Sequence, residues 1–202
     1  MKKLSCVFLI LLFLSCILIG CSQATTKVST DSKPQVSQVP NKNTTRYKFA
    51  IYLVKDLSSF DSTKTNLDKL TLENEPIVTE KDISSYYWKS NVIKTDEADF
   101  IDKLMKVTKL SGTPYVLTVN GERIYLGVLW TPLSSMVPPK ETPVLDLQGG
   151  AFIIDKLNKD GYNVIPKNNE IYLEISAPFK GKDNRNDKRI YNALKDAGIL
   201  KE

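Results

Sequence analysis

The dipeptide Asn120-Gly121 sits between two apolar-rich runs, Tyr115 to Val119 and Glu122 to Trp130, that alternate on either side of it. A two-residue turn of the tightest kind needs positive φ at both central positions, which asparagine and glycine supply, so the pattern predicts a β-hairpin. Simple register then places Val119 opposite Glu122, Leu117 opposite Ile124 and Tyr115 opposite Leu126 on a core face. Thr118 with Arg123 and Val116 with Tyr125 form a mixed second face. An antiparallel pair is thus pinned near the middle of the chain, and the rest must pack against it.

The remaining elements follow from periodicity. Tyr47 to Val54 is apolar on both faces, which predicts a centrally placed strand. Asp56 to Lys69 is polar and predicts a loop with one helical turn, followed by a short strand at Leu70 to Glu73. Thr79 precedes Asp82 as in a capping box, so a short helix carrying Ile83, Tyr86 and Tyr87 on one face is expected. Asn91 to Lys94 reads as a link. Thr95 starts a helix over Asp96 to Thr108, with acids in its first turn and Ala98, Ile101, Leu104 and Met105 at helical spacing; Gly112 and Pro114 close it. Thr131 to Pro143 holds four prolines and is an irregular loop. Val144 to Leu147 predicts a strand, and Ala151 to Lys159 a helix ended by Gly161. Tyr162 to Ile165 and Glu170 to Ile175 predict a second hairpin. Asp187 caps a last helix from Lys188 to Ala197, with Gly198 just beyond it. The fold class expected is α+β: a mostly antiparallel sheet with two or three helices, in a single domain over 47–202.

The N-terminal stretch is of another kind. Lys2 and Lys3 precede an uncharged apolar run, Leu4 to Ile19, then Gly20-Cys21. The run is slightly short of the roughly 20 residues a spanning helix needs, and the cationic start fits a secretory signal. Leu18-Ile19-Gly20-Cys21 resembles the bacterial lipobox. The resemblance implies a signal peptide over 1–20 and a Cys21 that becomes the lipid-modified first residue, thioether-linked to diacylglycerol and carrying palmitate-like chains. Each buried methylene adds about 0.8 kcal/mol, so such chains hold a protein on a membrane. The localisation implied is the outer face of the bacterial cell membrane, with the membrane as the first partner. From Ser22 to Arg46 no aromatic residue occurs and Ser, Thr, Gln, Asn and Pro dominate, so 21–46 reads as a lipidated cysteine and flexible tether.

Composition closes many chemistries. The chain contains no histidine, and its three cysteines are Cys6, Cys16 and Cys21. No thiol is left for the domain, so disulfides, thiolate metal sites, His-based triads and HExxH zinc sites are excluded there. No cofactor or metal is expected. The Asp183-Asn184-Arg185-Asn186-Asp187 run fails as a calcium loop, because Lys188 and Leu194 occupy the positions that need glycine and glutamate; capping and local Asp–Arg pairing are expected instead. The net charge of +5 belongs to the first 46 residues, and the domain carries 22 basic and 22 acidic residues. A balanced domain gives no basic face for nucleic acid, while the basic excess favours anionic headgroups or wall polymers.

Four segments, Ile51 to Asp56, Thr79 to Tyr86, Asn120 to Gly127 and Asp187 to Tyr191, together with the lipobox, resemble an uncharacterised group of exported lipoproteins from low-GC Gram-positive bacteria. The resemblance carries no functional residue over. The function expected is a non-catalytic binding or interaction module on the membrane, directed at an envelope protein or a wall polymer. The alternative is a carboxylate-dependent cell-wall or glycan hydrolase, which needs two acids across a cleft. Trp130, Ser134, Ser135 and Tyr125 are the candidate binding residues, because Trp130 opens the Pro-rich loop and loops on a rigid scaffold are where binding concentrates. No catalytic residue is assigned.

Overall fold

Phe49–Leu53 forms β1, and its first four residues are buried on both faces of the strand. The computed structural model describes residues 47–56 and 64–202. The signal, the tether and the lipidation of Cys21 lie outside the described residues, as does part of the loop expected after Asp56. The described residues belong to one compact unit.

Around β1 the chain builds β2 (Val78–Thr79), β3 (Ser85–Tyr87), β4 (Val92–Thr95), α1 (Phe100–Val107), β5 (Thr113–Val119), β6 (Glu122–Trp130), β7 (Val144–Asp146), α2 (Ala151–Lys159), β8 (Ile171–Ser176), α3 (Lys188–Asp196) and β9 (Leu200–Lys201). One nine-stranded sheet results, in the order β2-β1-β5-β6-β7-β8-β4-β3-β9. Six neighbour pairs are antiparallel; β6–β7 and β3–β9 are parallel. The α+β class with a mostly antiparallel sheet holds, and the sheet is mixed.

The sheet curls. β1 and β3 lie second from opposite ends of the order, yet the rings of Phe49 and Tyr86 meet edge to face at 6.3 Å. Strand twist accumulated over nine strands brings the ends together. Inside the curl lie Ile51, Ile93, Leu117, Leu129, Leu145 and Leu173, closed by Phe100 and Leu104 of α1 and by Ile190 and Leu194 of α3. Outside the curl, Ile153 and Leu157 of α2 pack on Val92 and Tyr172.

Several expectations are corrected. The hairpin forms at Asn120-Gly121, with φ of 48° and 83°. Its first two pairs are as predicted, but a bulge at Leu117/Thr118 then shifts the register, pairing Leu117 with Tyr125, Val116 with Leu126 and Tyr115 with Gly127. The extra residue, Ile124, joins Tyr125 in the interior. Both faces of the hairpin are buried, so apolar alternation on two faces did not fix the register by itself.

The segment Thr79 to Tyr87 makes no helix. The Asp82 carboxylate does accept from the Thr79 amide at 2.6 Å, and Thr79 Oγ1 accepts from the Lys81 amide at 3.2 Å. These bonds close a turn, and Ser85–Tyr87 then pairs with β4 and β9. The link expected at Asn91 to Lys94 is β4, held between β3 and β8. Recruitment of Thr95 as its last residue delays α1, which starts at Phe100. Pro114 lies within β5. Tyr162 to Ile165 forms no strand, because both edges of β8 are taken by β7 and β4. The C-terminal β9 had no sequence signal. As expected, Asp187 caps α3, accepting from the Arg189 amide at 2.8 Å.

Candidate functional site

The four residues singled out from sequence do not share one surface. Trp130 is 6% exposed, packed with Val128 and Val144 on the outer face of β6 and over Gly112, where a Cβ would lie 2.8 Å from its ring. Tyr125, an odd step away, points into the curl and belongs to the interior cluster. Ser134 and Ser135 lie in the loop beyond Trp130, partly and fully exposed. Ser134 Oγ accepts from the Met136 amide at 3.1 Å, so it fixes the loop's shape. Tyr125 does line a cavity of about 340 Å³ with Leu67, Leu126, Pro143 and Asn184.

Behind that cavity lies a polar layer inside the curl. The Tyr86 hydroxyl donates to Asn91 Oδ1 at 3.0 Å. The hydroxyls of Tyr115 and Tyr125 are buried and interact with one another, but without a hydrogen bond of ordinary geometry; their rings meet at 6.3 Å. Burial raises the pKa of all three phenols, so they stay neutral. Arg185 supplies the nearby charge: Nη1 donates to the Ile175 carbonyl at 2.6 Å, while Nε and Nη2 grip both oxygens of Asp183 at 2.9 and 2.8 Å. The expected Asp–Arg pairing is present, and with each guanidinium nitrogen making one bond, Arg185 is tied down at the end of the core.

A more open arrangement occurs on the other side of the molecule. Tyr87 of β3, Tyr172 of β8 and Tyr162, just past α2, converge on a cleft of about 470 Å³. The Tyr87 and Tyr162 rings meet edge to face at 4.9 Å, and Tyr87 and Tyr172 lie 6.3 Å apart. Each is held from behind. Tyr87 and Tyr172 pack on Ile153 and Leu157 of α2. The Tyr162 hydroxyl accepts from the Lys89 amide at 2.9 Å and donates to the Lys201 carbonyl at 3.3 Å. Leu200, Lys201 and Glu202 form the opposite rim.

Glu170 forms the cleft's charged end. It accepts from Lys94 Nζ at 2.7 Å, from the Lys167 amide at 2.9 Å and from the Tyr172 hydroxyl at 2.8 Å. The Lys94 ammonium, then the Lys167 amide and the Tyr172 hydroxyl, hold its carboxyl down to about 2. A general acid for glycoside cleavage needs the opposite shift. Glu170 and Tyr172 also wall a second cleft of about 410 Å³, lined mainly by Ile101, Leu147, Ile154, Pro166 and the Gly149-Gly150 pair before α2.

Sequence reasoning placed Tyr87 on a helix face and counted it, with Tyr86 and Trp88, among the aromatics a sugar or partner could use, but missed Tyr162 and Tyr172. The missed signal is the spacing: tyrosines follow α2 and stand in the next strand, on the face that α2 covers. Among the described residues, no group of three or more His, Cys, Asp or Glu side chains is placed to hold a metal ion. None of the described helices is long and apolar enough to cross a membrane. No protein-family model, curated protein or solved structure matches this chain.

Proposed function

We propose that this chain is an extracytoplasmic lipoprotein of the low-GC Gram-positive type, anchored through Cys21 to the outer face of the cell membrane, whose domain is a non-catalytic binding module. The tyrosine cleft is its binding site, and its ligand is a sugar-containing wall polymer. One observation supports this above the others. Three tyrosines are preset by packing around an open cleft whose two lining carboxylates are both engaged, Glu170 in an ion pair with Lys94 and Glu202 by the Tyr191 hydroxyl. The half-buried Tyr162 ring is the accessible aromatic surface, with Tyr87 and Tyr172 mostly buried behind it; a rigid ring offers contact area at little entropy cost, and the Lys94–Glu170 pair gives the cleft a polar end. A hydrolase reading gains no support from Glu170, Asp183 and Asp187, whose carboxyls are all pulled downward by cationic neighbours.

The test is cross-linking and recovery of the full lipoprotein from intact cells, with Tyr162→Ala and Trp130→Ala beside it and thermal unfolding as a control for folding. The expected result is a wall polymer recovered by the wild type and by a folded Trp130→Ala protein, and lost in Tyr162→Ala. Recovery of the same material by a folded Tyr162→Ala protein removes the cleft from the proposal. Recovery of an envelope protein in place of polymer changes the ligand class.

A further inference from the structure

The Pro-rich loop after β6 holds its apolar side chains outward. Leu133, Met136 and Val137 are 72%, 57% and 74% exposed. A second loop stands beside it, because the Lys180 amide donates to the Lys140 carbonyl at 3.0 Å, and that loop carries Phe179, 83% exposed. Single exposed apolar residues are ordinary. Four large ones on two joined loops form a patch of the kind that marks an interaction site.

Three amides of the first loop are satisfied within the loop. The Leu133 amide donates to Thr131 Oγ1 at 3.2 Å, the Ser134 amide to the Thr131 carbonyl at 3.1 Å, and the Met136 amide to Ser134 Oγ at 3.1 Å. Pro138 and Pro139 have no amide hydrogen at all. These internal bonds leave fewer backbone donors needing water, which suits a contact at the interfacial depth, where side-chain tips enter and the backbone stays among the headgroups. Lys140, Lys180 and Lys182 are exposed at the base of the two loops. Glu141 stands beside them, and the nearby Asp183 is occupied by Arg185. Apolar tips above a lysine collar match a bilayer surface, whose acyl region lies beneath anionic headgroups.

We propose that these two loops form a second membrane contact, in which Leu133, Met136, Val137 and Phe179 insert into an anionic lipid bilayer while Lys140, Lys180 and Lys182 meet its headgroups. The proposal rests on the reading of Cys21 as a lipid anchor for keeping a bilayer within reach: the 26 residues from Cys21 to Arg46 span at most about 90 Å fully extended. Loop insertion would lay the domain against the leaflet instead of leaving it free at the end of that span.

The test uses the full chain as purified from cells, carrying Val137→Trp as a reporter. It is mixed with vesicles of phosphatidylglycerol or of phosphatidylcholine, each with brominated acyl chains, and both flotation and tryptophan emission are read. The added emission of the reporter over wild type is expected to fall by at least half with phosphatidylglycerol vesicles and by less than a fifth with phosphatidylcholine. Lys140→Glu, Lys180→Glu and Lys182→Glu together, in the reporter background, are expected to abolish the phosphatidylglycerol response. Flotation on phosphatidylcholine reports the lipid anchor independently. Flotation on both vesicles without quenching on either overturns the loop contact and leaves the anchor standing. Quenching on phosphatidylglycerol without flotation on phosphatidylcholine supports the contact and overturns the anchor. Equal quenching on both vesicles, or quenching that survives the three lysine substitutions, overturns the role of the lysine collar and with it the commitment to anionic lipid.

Discussion

The Tyr115 ring lies across the backbone of Gly127: a Cβ built at Gly127 would stand 2.1 Å from Tyr115 Cζ and 2.4 Å from its hydroxyl. The two residues are opposite one another in the β5–β6 register, so the glycine is what lets a tyrosine fold down over the neighbouring strand. Gly127→Ala is therefore expected to cost about 2–3 kcal/mol, at the upper end of overpacking effects. Urea unfolding measures it. Truncating the ring with Tyr115→Ala in the same chain should recover part of the clash, so the two losses should add to more than the double variant shows. A neutral Gly127→Ala would mean that the ring has somewhere else to go.

Two tyrosines in the same interior should respond oppositely to loss of a hydroxyl. The Tyr125 hydroxyl is buried beside that of Tyr115 without a hydrogen bond of ordinary geometry, so Tyr125→Phe removes a poorly satisfied desolvated group and should leave stability unchanged or raise it by about 1 kcal/mol. Tyr86→Phe removes the hydrogen bond donated to the buried Asn91 Oδ1 and should cost about 1–2 kcal/mol. Thermal unfolding of the two variants side by side decides this, and equal losses would contradict the different hydrogen-bonding states.

Glu170 makes stability depend on acid. Its carboxyl is held at about 2 in the folded domain, below the roughly 4.3 of an unfolded chain. A depressed carboxyl contributes in full above its unfolded value and loses that contribution as pH falls through its folded value. Wild type should exceed Glu170→Gln by about 1–2 kcal/mol above pH ~5, a figure reduced for partial exposure, and the two should converge near pH ~2. A difference that stays constant from pH 7 to pH 2.5 would show that the ion pair with Lys94 is not its source.

At α3, Asp187 acts both as helix cap and as partner of Arg189, whose guanidinium leads the interactions holding its carboxyl at about 2. Asp187→Ala should cost about 1 kcal/mol and Asp187→Asn only a few tenths, because the amide oxygen still accepts from the Arg189 amide. Circular dichroism melts at low and high salt check this. If the asparagine variant falls as far as the alanine one, the charge outweighs the cap.

Elements whose signals are local were legible in the sequence. The Asn120-Gly121 turn, the Asp187 cap and the Ala151–Lys159 helix each depend on a few adjacent residues, and each formed. Elements defined by distant partners were not. Val92–Thr95 is only four residues long and becomes a strand because β8 and β3 flank it. The capping-like Thr79–Asp82 bonds close a turn in place of a helix, since Ser85–Tyr87 is claimed by the sheet. For the site, plain alternation along β6 already puts Tyr125 and Trp130, five residues apart, on opposite faces, whereas the bulge that turns Tyr125 into the interior had no sequence mark because both faces are apolar. The tyrosine cleft draws on β3, β8 and the turn after α2, three segments whose adjacency only the strand order reveals.

The pairing of Tyr86 with Leu200 also sets a timetable. Residues 86 and 200 are 114 positions apart, and β3 takes one of its two neighbours from residues made long after it. Until residues 200–201 have been synthesised and delivered, the outer edge of β3 has no partner and the Tyr162 hydroxyl lacks the Lys201 carbonyl it binds. Closure with so long a loop is slow relative to the hairpin and helix steps. A chain emerging from a ribosome would therefore hold a formed β5–β6 hairpin early and an open sheet edge late, and the tyrosine cleft would gain its rim only when residues 200–202 arrive.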